Sequence, residues 1–331
     1  MRFVVALGTT ETARIEGISA AGADPALMRH TPAADAELLV YGQPVEAPAV
    51  PVSPSGCPTP ALVTRAVREL LGFDVLALDA GLAAGTAAPT VDLASGPGGG
   101  VRTARPVPEA REIHERGASL GRSLPDDHLV IGESIPGGTT TALGVLTALG
   151  ESFGVSSSLP DNPIGKKRDV VRQGLAVSNL DTGALAGRPH RAVATMGDPM
   201  LAAASGLAAG AIERGAEVTL AGGTQMLTVA ALLRHAGVEA PLTVATTQFL
   251  ADDDTVDLAA AADAVDATLR VTDPGFDRAD HVAMARYCAG EGKEGVGMGG
   301  ALALAEDSGV STERVRERIV ERYGAVIGDG P

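Results

Sequence analysis

The sequence predicts an α/β fold with three layers, α/β/α, around a mostly parallel sheet, plus a smaller helical lobe made from the two chain ends. Short apolar runs rich in β-branched residues alternate with longer amphipathic runs, which is the pattern of a parallel sheet covered by helices. Hydrophobic residues make up 45% of the 331 residues and aromatic residues only 2%. The core must therefore consist mainly of Ala, Val and Leu, which suits helices packed closely on a parallel sheet.

The individual elements follow from the periodicity of the apolar residues. Predicted strands are residues 2–7, 37–42, 74–80, 128–134, 191–196, 217–222, 242–247 and 267–273. Predicted helices include residues 59–71, 139–149, 163–176, 198–213, 224–236, 278–290, 299–306 and 311–323. The first of these helices has prolines at its start and Gly72 after its end, the asymmetry that real helices show.

The chain is predicted to be a single unit over residues 1–331, with the main parallel sheet in residues 110–275. The parts on either side, 1–109 and 276–331, are expected to flank it and to include the small helical lobe. Two stretches are poor in predicted structure: the proline-rich connection 45–60 and the long Gly/Pro stretch 85–110. A loop as long as the second is either functional or mobile.

Charge and composition exclude several classes of function. The net charge is −15, so nucleic acid is not an expected partner. No apolar run reaches the length of a spanning helix and the N-terminal stretch lacks a signal-peptide pattern, so we expect a cytoplasmic protein without a membrane partner. The two cysteines and six histidines show no disulfide or metal-ligand spacing, so no metal and no cofactor is assigned.

The acid excess also indicates a salt-adapted (halophilic) protein, because hydrated carboxylates keep a chain dispersed where salt screens their repulsion. Only three of the 26 basic residues are lysines: Lys166, Lys167 and Lys293. A GC-rich genome explains the shortage of lysine equally well, but not the acid excess. If arginine has replaced lysine nearly everywhere else, these three positions are candidates for a functional ammonium group.

The stretch 132–141, Gly-Glu-Ser-Ile-Pro-Gly-Gly-Thr-Thr-Thr, joins a predicted strand to a predicted helix. Backbone N–H groups at a helix start bind anions, and Gly137, Gly138, Thr139 and Thr140 make this turn a candidate phosphate site. No Walker-A lysine follows, and the carboxylate of Glu133 would repel a triphosphate but suits ribose hydroxyls. The turn therefore favours a mononucleotide, and the alternative is an ordinary helix cap made by threonine.

Lys166 and Lys167 fall in the first turns of a predicted helix, where a cation opposes the helix dipole. An anionic ligand would explain them, and a solvated basic face is the alternative. Two further residues, Asp198 and Thr224, are predicted to be helix caps.

The segment 288–307 contains six glycines between residues 290 and 300, together with Glu291, Lys293 and Glu294. So many glycines are costly to order, and a partly desolvated carboxylate on such a turn can act as a general base. A flexible surface loop is the alternative.

Five motifs in this order resemble nicotinate-nucleotide:dimethylbenzimidazole phosphoribosyltransferase, and the whole chain looks like the archaeal branch of that family. They are GESIPGGTTTALG (132–144), KKRDVVRQGL (166–175), MGDPMLAAASGLAAGA (196–211), LAGGTQMLTVAALL (220–233) and KEGVGMGGALALA (293–305). The resemblance covers roughly residues 110–310. It implies a cytoplasmic homodimer that makes the lower ligand of cobalamin from nicotinate mononucleotide and an aromatic base.

The resemblance also assigns roles to residues of this chain. Glu133 would bind the ribose, while Gly137, Thr139 and Lys167 would hold the phosphate end. Gly197 would line the nucleotide pocket, and Gly297 would also bind the substrate. A glutamate of the C-terminal glycine turn would take a proton from the incoming base, which attacks the anomeric carbon and expels nicotinate to leave an α-riboside phosphate. Glu294 is assigned this role, with Glu291 as the alternative because aligning the glycines with the bacterial motif shifts the acid by about two residues.

Two further departures from the bacterial form of the family lie outside the last motif, and the second of them leaves the acceptor open. The bacterial turn is Gly-x-Gly-Asn-Thr-Thr where this chain has residues 135–140, and the bacterial benzimidazole pocket has no counterpart in the N-terminal third. Dimethylbenzimidazole, adenine and a phenol are all candidate acceptors. A non-catalytic nucleotide-binding regulatory module and a P-loop-like kinase are the alternative functions.

Overall fold

The structure is a computed structural model that describes residues 1–19, 27–53 and 55–328. Within these residues one sheet of seven strands runs in the order β3-β2-β1-β4-β5-β6-β7, and every neighbouring pair is parallel. The strands are β1 (Arg2–Leu7), β2 (Val75–Asp79), β3 (Thr90–Asp92), β4 (His128–Ser134), β5 (Glu217–Ala221), β6 (Leu242–Thr247) and β7 (Ala267–Thr272). The predicted α/β class is confirmed. Three strands come from residues 1–109, outside the range in which the sequence placed the main sheet.

Helices cover both faces of this sheet. They are α1 (Thr31–Tyr41), α2 (Ala61–Leu71), α3 (Ala110–Ser123), α4 (Gly138–Leu149), α5 (Ile164–Val177), α6 (Pro189–Met196), α7 (Pro199–Glu213), α8 (Thr224–His235), α9 (Gln248–Ala251), α10 (Leu258–Ala264), α11 (Val282–Cys288), α12 (Met298–Asp307) and α13 (Thr312–Val326). No helix of the described residues is both long and apolar enough to cross a membrane.

Two hydrophobic cores separate the three layers. Helices α3 to α8 pack on one face over a core of Ala, Val and Leu. On the other face, α2 contacts α1, α12 and α13, so helices from both chain ends lie together, as the sequence predicts. The few aromatic residues concentrate on this second face, where Phe249, Phe276 and Tyr287 form one cluster.

The prediction of a strand at residues 37–42 is wrong, because these residues form the second half of α1. Pro32 lies in the first turn of this helix, and Gly42 ends it in the left-handed conformation, with φ 82°. Nearly every side chain of α1 is buried, so the apolar run has no polar face to reveal its helical repeat. The proline at the start and the glycine at the end indicate this helix, whereas the short apolar run does not.

The prediction of a strand at residues 191–196 is also wrong, since they belong to α6. Pro189 occupies the first helical position, and every residue from Ala192 to Met196 is buried. Burial of five consecutive residues shows neither the helical nor the alternating repeat, so the pattern of this short window does not distinguish helix from strand.

The long Gly/Pro stretch 85–110 has more structure than its composition indicates. It contains β3, which pairs with β2 at the sheet edge, and Gly98 bridges to Thr10. Helix α3, which follows it, was not among the predicted helices. The stretch is therefore tied to the sheet by backbone pairing.

Candidate active site

The carboxyl ends of parallel strands lie at one edge of a sheet, where ligands of open α/β folds bind. At this edge a solvent-open cavity is formed by the turns that follow β4 and β5 and by the glycine-rich loop before α12. It is also bordered by Asp35 of α1 and by the proline-rich connection. The wall consists mainly of residues 133–139, 156–158, 223–225, 292–296, 51–53 and 57–60.

The turn after β4 brings the backbone close to the cavity because two glycines allow it. Gly137 has φ 79° and precedes α4, and a Cβ there would lie 2.8 Å from Cα of Ala13. A Cβ on Gly138 would collide with the amide group of Gln225. Gly137, Gly138 and Thr139 all line the cavity, so the predicted phosphate turn faces the pocket.

Glu133 is the last residue but one of β4, and only 5% of it is exposed. Burial raises its pKa well above the usual value, and the neighbouring charges of Glu294, Asp198 and Asp35 act in the same direction. The amide of Gln225 lies close enough to lower this pKa slightly, although its Nε2 makes no hydrogen bond of normal geometry. Burial therefore favours the protonated form of Glu133, which can donate a hydrogen bond to a ligand.

Glu294 lies on the glycine-rich loop and lines the same cavity. Its Oε1 accepts hydrogen bonds from the backbone N–H groups of Gly295 (3.1 Å) and Gly299 (3.0 Å). Its Oε2 accepts a bond from the hydroxyl of Thr246 at the end of β6 (3.3 Å). Burial raises the pKa of Glu294 to about 7, which is the range that suits a general base at neutral pH.

Glu291, the second glutamate of this loop, has a different environment. Its Oε2 accepts hydrogen bonds from the hydroxyls of Ser53 (2.7 Å) and Ser55, and Arg286 lies 3.8 Å from its other oxygen. These contacts tie the proline-rich connection to the glycine-rich loop. The geometry thus favours Glu294 over Glu291 as the carboxylate that meets a substrate.

A buried ionic cluster lies behind one wall of the cavity. The ammonium of Lys293 pairs with Asp253 at 2.8 Å, and both side chains are at most 6% exposed. Although burial acts to raise it, hydrogen bonds from Lys293, Ser156 and Thr255 lower the pKa of Asp253 to about 2. Burial, together with the Lys293 ammonium, lowers the pKa of Lys167 to about 7.

Of the two lysines Lys167 and Lys293, only Lys293 lines the cavity. Lys167 is fully buried, and its Nζ donates to the carbonyl oxygen of Ser156 at 2.7 Å. The hydroxyl residues 156–158, which do line the cavity, therefore lie between Lys167 and the ligand space. The third lysine, Lys166, donates to the carbonyl oxygen of Glu16, away from the wall.

The structure brings five of the predicted site residues to the cavity wall: Glu133, Gly137, Gly138, Thr139 and Glu294. Four others lie behind it, and their contact with a substrate stays a prediction: Thr140, Lys167, Gly197 and Gly297. The Thr140 hydroxyl is buried and has no hydrogen-bond partner among the residues that the structure describes. Gly197 packs against Val193 and Val145, and Gly297 lies against the ring of Phe3.

Of the two predicted helix caps, one is confirmed. Asp198 accepts the backbone N–H of Leu201 at 3.0 Å and begins α7. The prediction for Thr224 is wrong, because Gly223 precedes α8 and Thr224 is its first helical residue. The hydroxyl of Thr224 instead accepts a hydrogen bond from the backbone N–H of Ser156 at 3.4 Å.

Comparison with known sequences gives clear relatives. No family model matches the chain. The UPF0284 protein of Halobacterium salinarum is 58% identical over 325 residues, which cover 98% of each chain. That of Methanothermobacter thermautotrophicus is 44% identical over 336 residues, covering 98% of this chain and 93% of the relative. The chain belongs to the UPF0284 family.

Two solved structures have a fold similar to that of this UPF0284 chain. The crystal structure of CobT from Thermus thermophilus superimposes with a TM-score of 0.63 at 17% identity, covering 99% of this chain and 86% of that one. A structure of nicotinate-nucleotide-dimethylbenzimidazole phosphoribosyltransferase from the same organism gives a TM-score of 0.59 at 17% identity, covering 100% and 86%. The UPF0284 chain therefore has the fold of these enzymes, and its archaeal relatives agree with the branch that the motifs indicate.

Several residues that form the cavity of this UPF0284 chain were not singled out from the sequence. Asp35 is buried in α1, at 1% exposure, and lines the cavity. Ser156 and Asp253 complete the lysine cluster, and Gln225 lies beside Glu133. Asp253 pairs with Lys293 through a contact between segments 40 residues apart, which local sequence does not indicate.

Proposed function

We propose that the protein transfers the phosphoribosyl group of nicotinate mononucleotide to an aromatic base, releasing nicotinate and leaving an α-riboside phosphate for the lower ligand of cobalamin. The observation that carries this proposal is the meeting of Glu133 and Glu294 in one cavity. Each carboxyl group has a raised pKa. The fold shared with phosphoribosyltransferases supports it.

In this proposal Glu294 is the general base. A ring nitrogen of the acceptor base, or the hydroxyl oxygen of a phenol, attacks the anomeric carbon of the ribose, and the acceptor's N–H or O–H proton passes to Glu294. The bond from the anomeric carbon to the pyridinium nitrogen breaks, and its electron pair neutralises that nitrogen as nicotinate leaves. A pKa of about 7 leaves a large share of Glu294 deprotonated at neutral pH, and general base catalysis contributes about 10²- to 10⁴-fold.

Glu133 would bind the ribose of the donor. Burial favours its protonated form, which donates a hydrogen bond to a ribose hydroxyl without repelling the phosphate. The amide of Gln225, which has a donor without a partner, lies beside it. Holding the ribose and the acceptor in attack geometry can lower the barrier by roughly 7–11 kcal/mol at best.

The phosphate would occupy the positively charged part of the cavity. Lys293 and the hydroxyl residues 156–158 line that part, and Lys167 adds positive charge from behind it. The turn of Gly137, Gly138 and Thr139 supplies backbone N–H groups at the start of α4. A phosphate dianion would also favour the protonated form of Lys167, whose pKa burial lowers to about 7.

The decisive experiment offers nicotinate mononucleotide with dimethylbenzimidazole, adenine or phenol, in molar KCl and in dilute buffer, and follows nicotinate and riboside products by mass spectrometry. We expect the wild type to release nicotinate with a matching riboside phosphate. Glu294→Gln should lower this rate by about 10²- to 10⁴-fold while still binding the nucleotide. Glu306→Gln, an exposed position on α12, is the matched control and should retain full activity.

Two results would contradict the proposal. An unchanged rate in Glu294→Gln would remove this residue as the base, and Glu291→Gln would then be tested. If no acceptor gives product while the nucleotide raises the melting temperature, the chain is a regulatory nucleotide-binding module. The homodimer, which the resemblance implies, stays a prediction that sedimentation analysis of the purified chain would test.

A further inference from the structure

Asp35 is a third carboxyl group in the cavity, and the proposed mechanism does not use it. It projects from α1 to the cavity wall, and only 1% of it is exposed. Burial raises its pKa to about 6, so it is mostly ionised above neutral pH. A buried carboxylate is costly unless charges or hydrogen bonds compensate it.

The recorded partners of Asp35 within the described residues are two hydroxyl groups. Ser134, at the end of β4, donates to Oδ2 at 2.6 Å, and Thr59, before α2, donates to Oδ1 at 2.7 Å. An ionised carboxylate has about four lone-pair positions, so these two bonds fix its orientation and leave acceptor capacity. Pinning α1 to the sheet explains the two hydroxyls, but a neutral asparagine would do that at lower cost.

The cavity wall that includes Asp35 combines apolar and hydroxyl residues. Pro51, Val52, Cys57, Pro58 and Pro60 line the cavity, and so do Thr31, Thr59 and Ser134. Asp35 and Glu294 both raise the pKa of the buried Tyr287, and both raise the pKa of Glu133. Asp35 therefore lies near the proposed reacting centre, and the prolines of the same cavity offer apolar surface to an aromatic base.

Resting on the proposed transfer reaction, we propose that Asp35 selects acceptor bases that carry an amino or hydroxyl hydrogen-bond donor on the ring over bases that carry a methyl group there. A donor on the base would complete the hydrogen bonding of this carboxylate. A methyl group of the same size would bury Asp35 without that bond. A hydrogen bond to a charged group is worth about 1.5–3 kcal/mol, and leaving it unmade costs a comparable amount.

The test compares two acceptors of nearly the same shape, 5-aminobenzimidazole and 5-methylbenzimidazole, at saturating nicotinate mononucleotide. We expect the wild type to prefer the amino compound by about tenfold to a hundredfold in kcat/KM. Asp35→Asn preserves the volume and can keep both hydroxyl contacts, and it should reduce this preference by about tenfold through slower use of the amino compound. Adenine and unsubstituted purine give a second pair with the same expected order.

Asp257→Asn is the matched control, because Asp257 is exposed, does not line the cavity and begins α10, where asparagine also begins helices well. It should leave the ratio unchanged, and melting curves should show that both variants fold. An equal preference in the wild type, or an undiminished one in Asp35→Asn, would overturn the proposal.

The experiment distinguishes a failure of the proposed transfer reaction from a failure of the proposal for Asp35. If neither base is converted, the proposed function fails, and the affinities of the two bases for the intact protein then test Asp35 by themselves. Tighter binding of the amino compound, lost in Asp35→Asn, would support its role as a selector. Equal binding of the two compounds would overturn it.

Discussion

At the scale of single residues, the site consists of carboxyl groups that the fold has brought out of water. Glu133 and Asp35 are each at most 5% exposed, and burial raises the pKa of Glu133, Asp35 and Glu294. Such groups destabilise a fold when they ionise, so their presence points to function. Three residues of this kind in one cavity are a stronger indication than any one of the sequence motifs.

The backbone beside Glu294 is strained as well. Val296 has φ 52°, a left-handed conformation that β-branched residues rarely adopt. Two contacts hold it there: its N–H donates to the carbonyl of Glu133 at 2.7 Å, and its carbonyl accepts from the hydroxyl of Thr64 at 2.9 Å. Strain of this kind concentrates at functional sites, and here it fixes the loop that carries Glu294 against β4.

Glu294→Gln should stabilise the fold, and more so at higher pH. Because the folded-state pKa of about 7 lies above the usual 4.5, the folded protein holds the proton more tightly, and wild-type stability falls as pH rises from about 4.5 to 7. Glu294→Gln has no carboxyl group at this position, so its free energy of unfolding does not fall in this way. Its free energy of unfolding should exceed that of the wild type by at most about 3 kcal/mol at pH 8, and the gain should vanish near pH 4.

Urea unfolding at the two pH values measures this difference. The exposed Glu306→Gln is the control and should change the free energy of unfolding little at either pH. A gain from Glu294→Gln that is equal at pH 4 and pH 8 would contradict the raised pKa.

At the scale of elements, the helical layer depends on glycine where two helices cross. In α3, Gly117 and Gly121 are four residues apart, and in α7 so are Gly206 and Gly210. A Cβ on any of these four would collide with the backbone of the other helix. The two helices therefore pack backbone to backbone, and α7 in turn begins with Asp198, next to the α4 turn that faces the cavity.

Gly210→Ala should destabilise the protein by several kcal/mol, because its Cβ would overlap the carbonyl of Ala118 and the helices must move apart. The matched control is Gly165→Ala in α5, where no atom lies within 4 Å of the new Cβ. Alanine is the better helix former there, by roughly 0.5–1 kcal/mol. Thermal and urea unfolding should thus give opposite signs for the two variants, and similar small effects would show that the α3–α7 contact is looser.

At the scale of the whole molecule, the net charge of −15 produces self-repulsion that salt screens. We expect the melting temperature to rise by several degrees or more between 0.1 M and 2 M KCl. Sucrose at matched water activity is the control for excluded-volume effects and should stabilise less. A melting temperature that stays constant or falls with KCl would contradict the salt adaptation that the composition indicates.

The sequence by itself determined much of the architecture. Six of the strands follow from apolar runs that end at glycine-rich or polar turns, and most of the helices follow from their periodicity and end signals. The turn at Gly137 and the carboxylates Glu133 and Glu294 could be predicted because each follows a strand or precedes a helix, and strand ends converge in a parallel sheet. The order of strands, turns and helices along the chain is thus enough to predict these site residues.

Only the tertiary structure decided the rest. Residues 37–42 form a helix and residues 191–196 form another because burial on all sides, or a short length, removes the repeat that separates helix from strand. Asp35 enters the cavity through contacts with Ser134 and Thr59, which are 99 and 24 residues away. Lys167 and Lys293 are 126 positions apart in sequence and meet around one aspartate, Asp253, because their segments pack together. Local sequence does not predict contacts between residues so far apart along the chain, because only the packing of the layers brings these residues together.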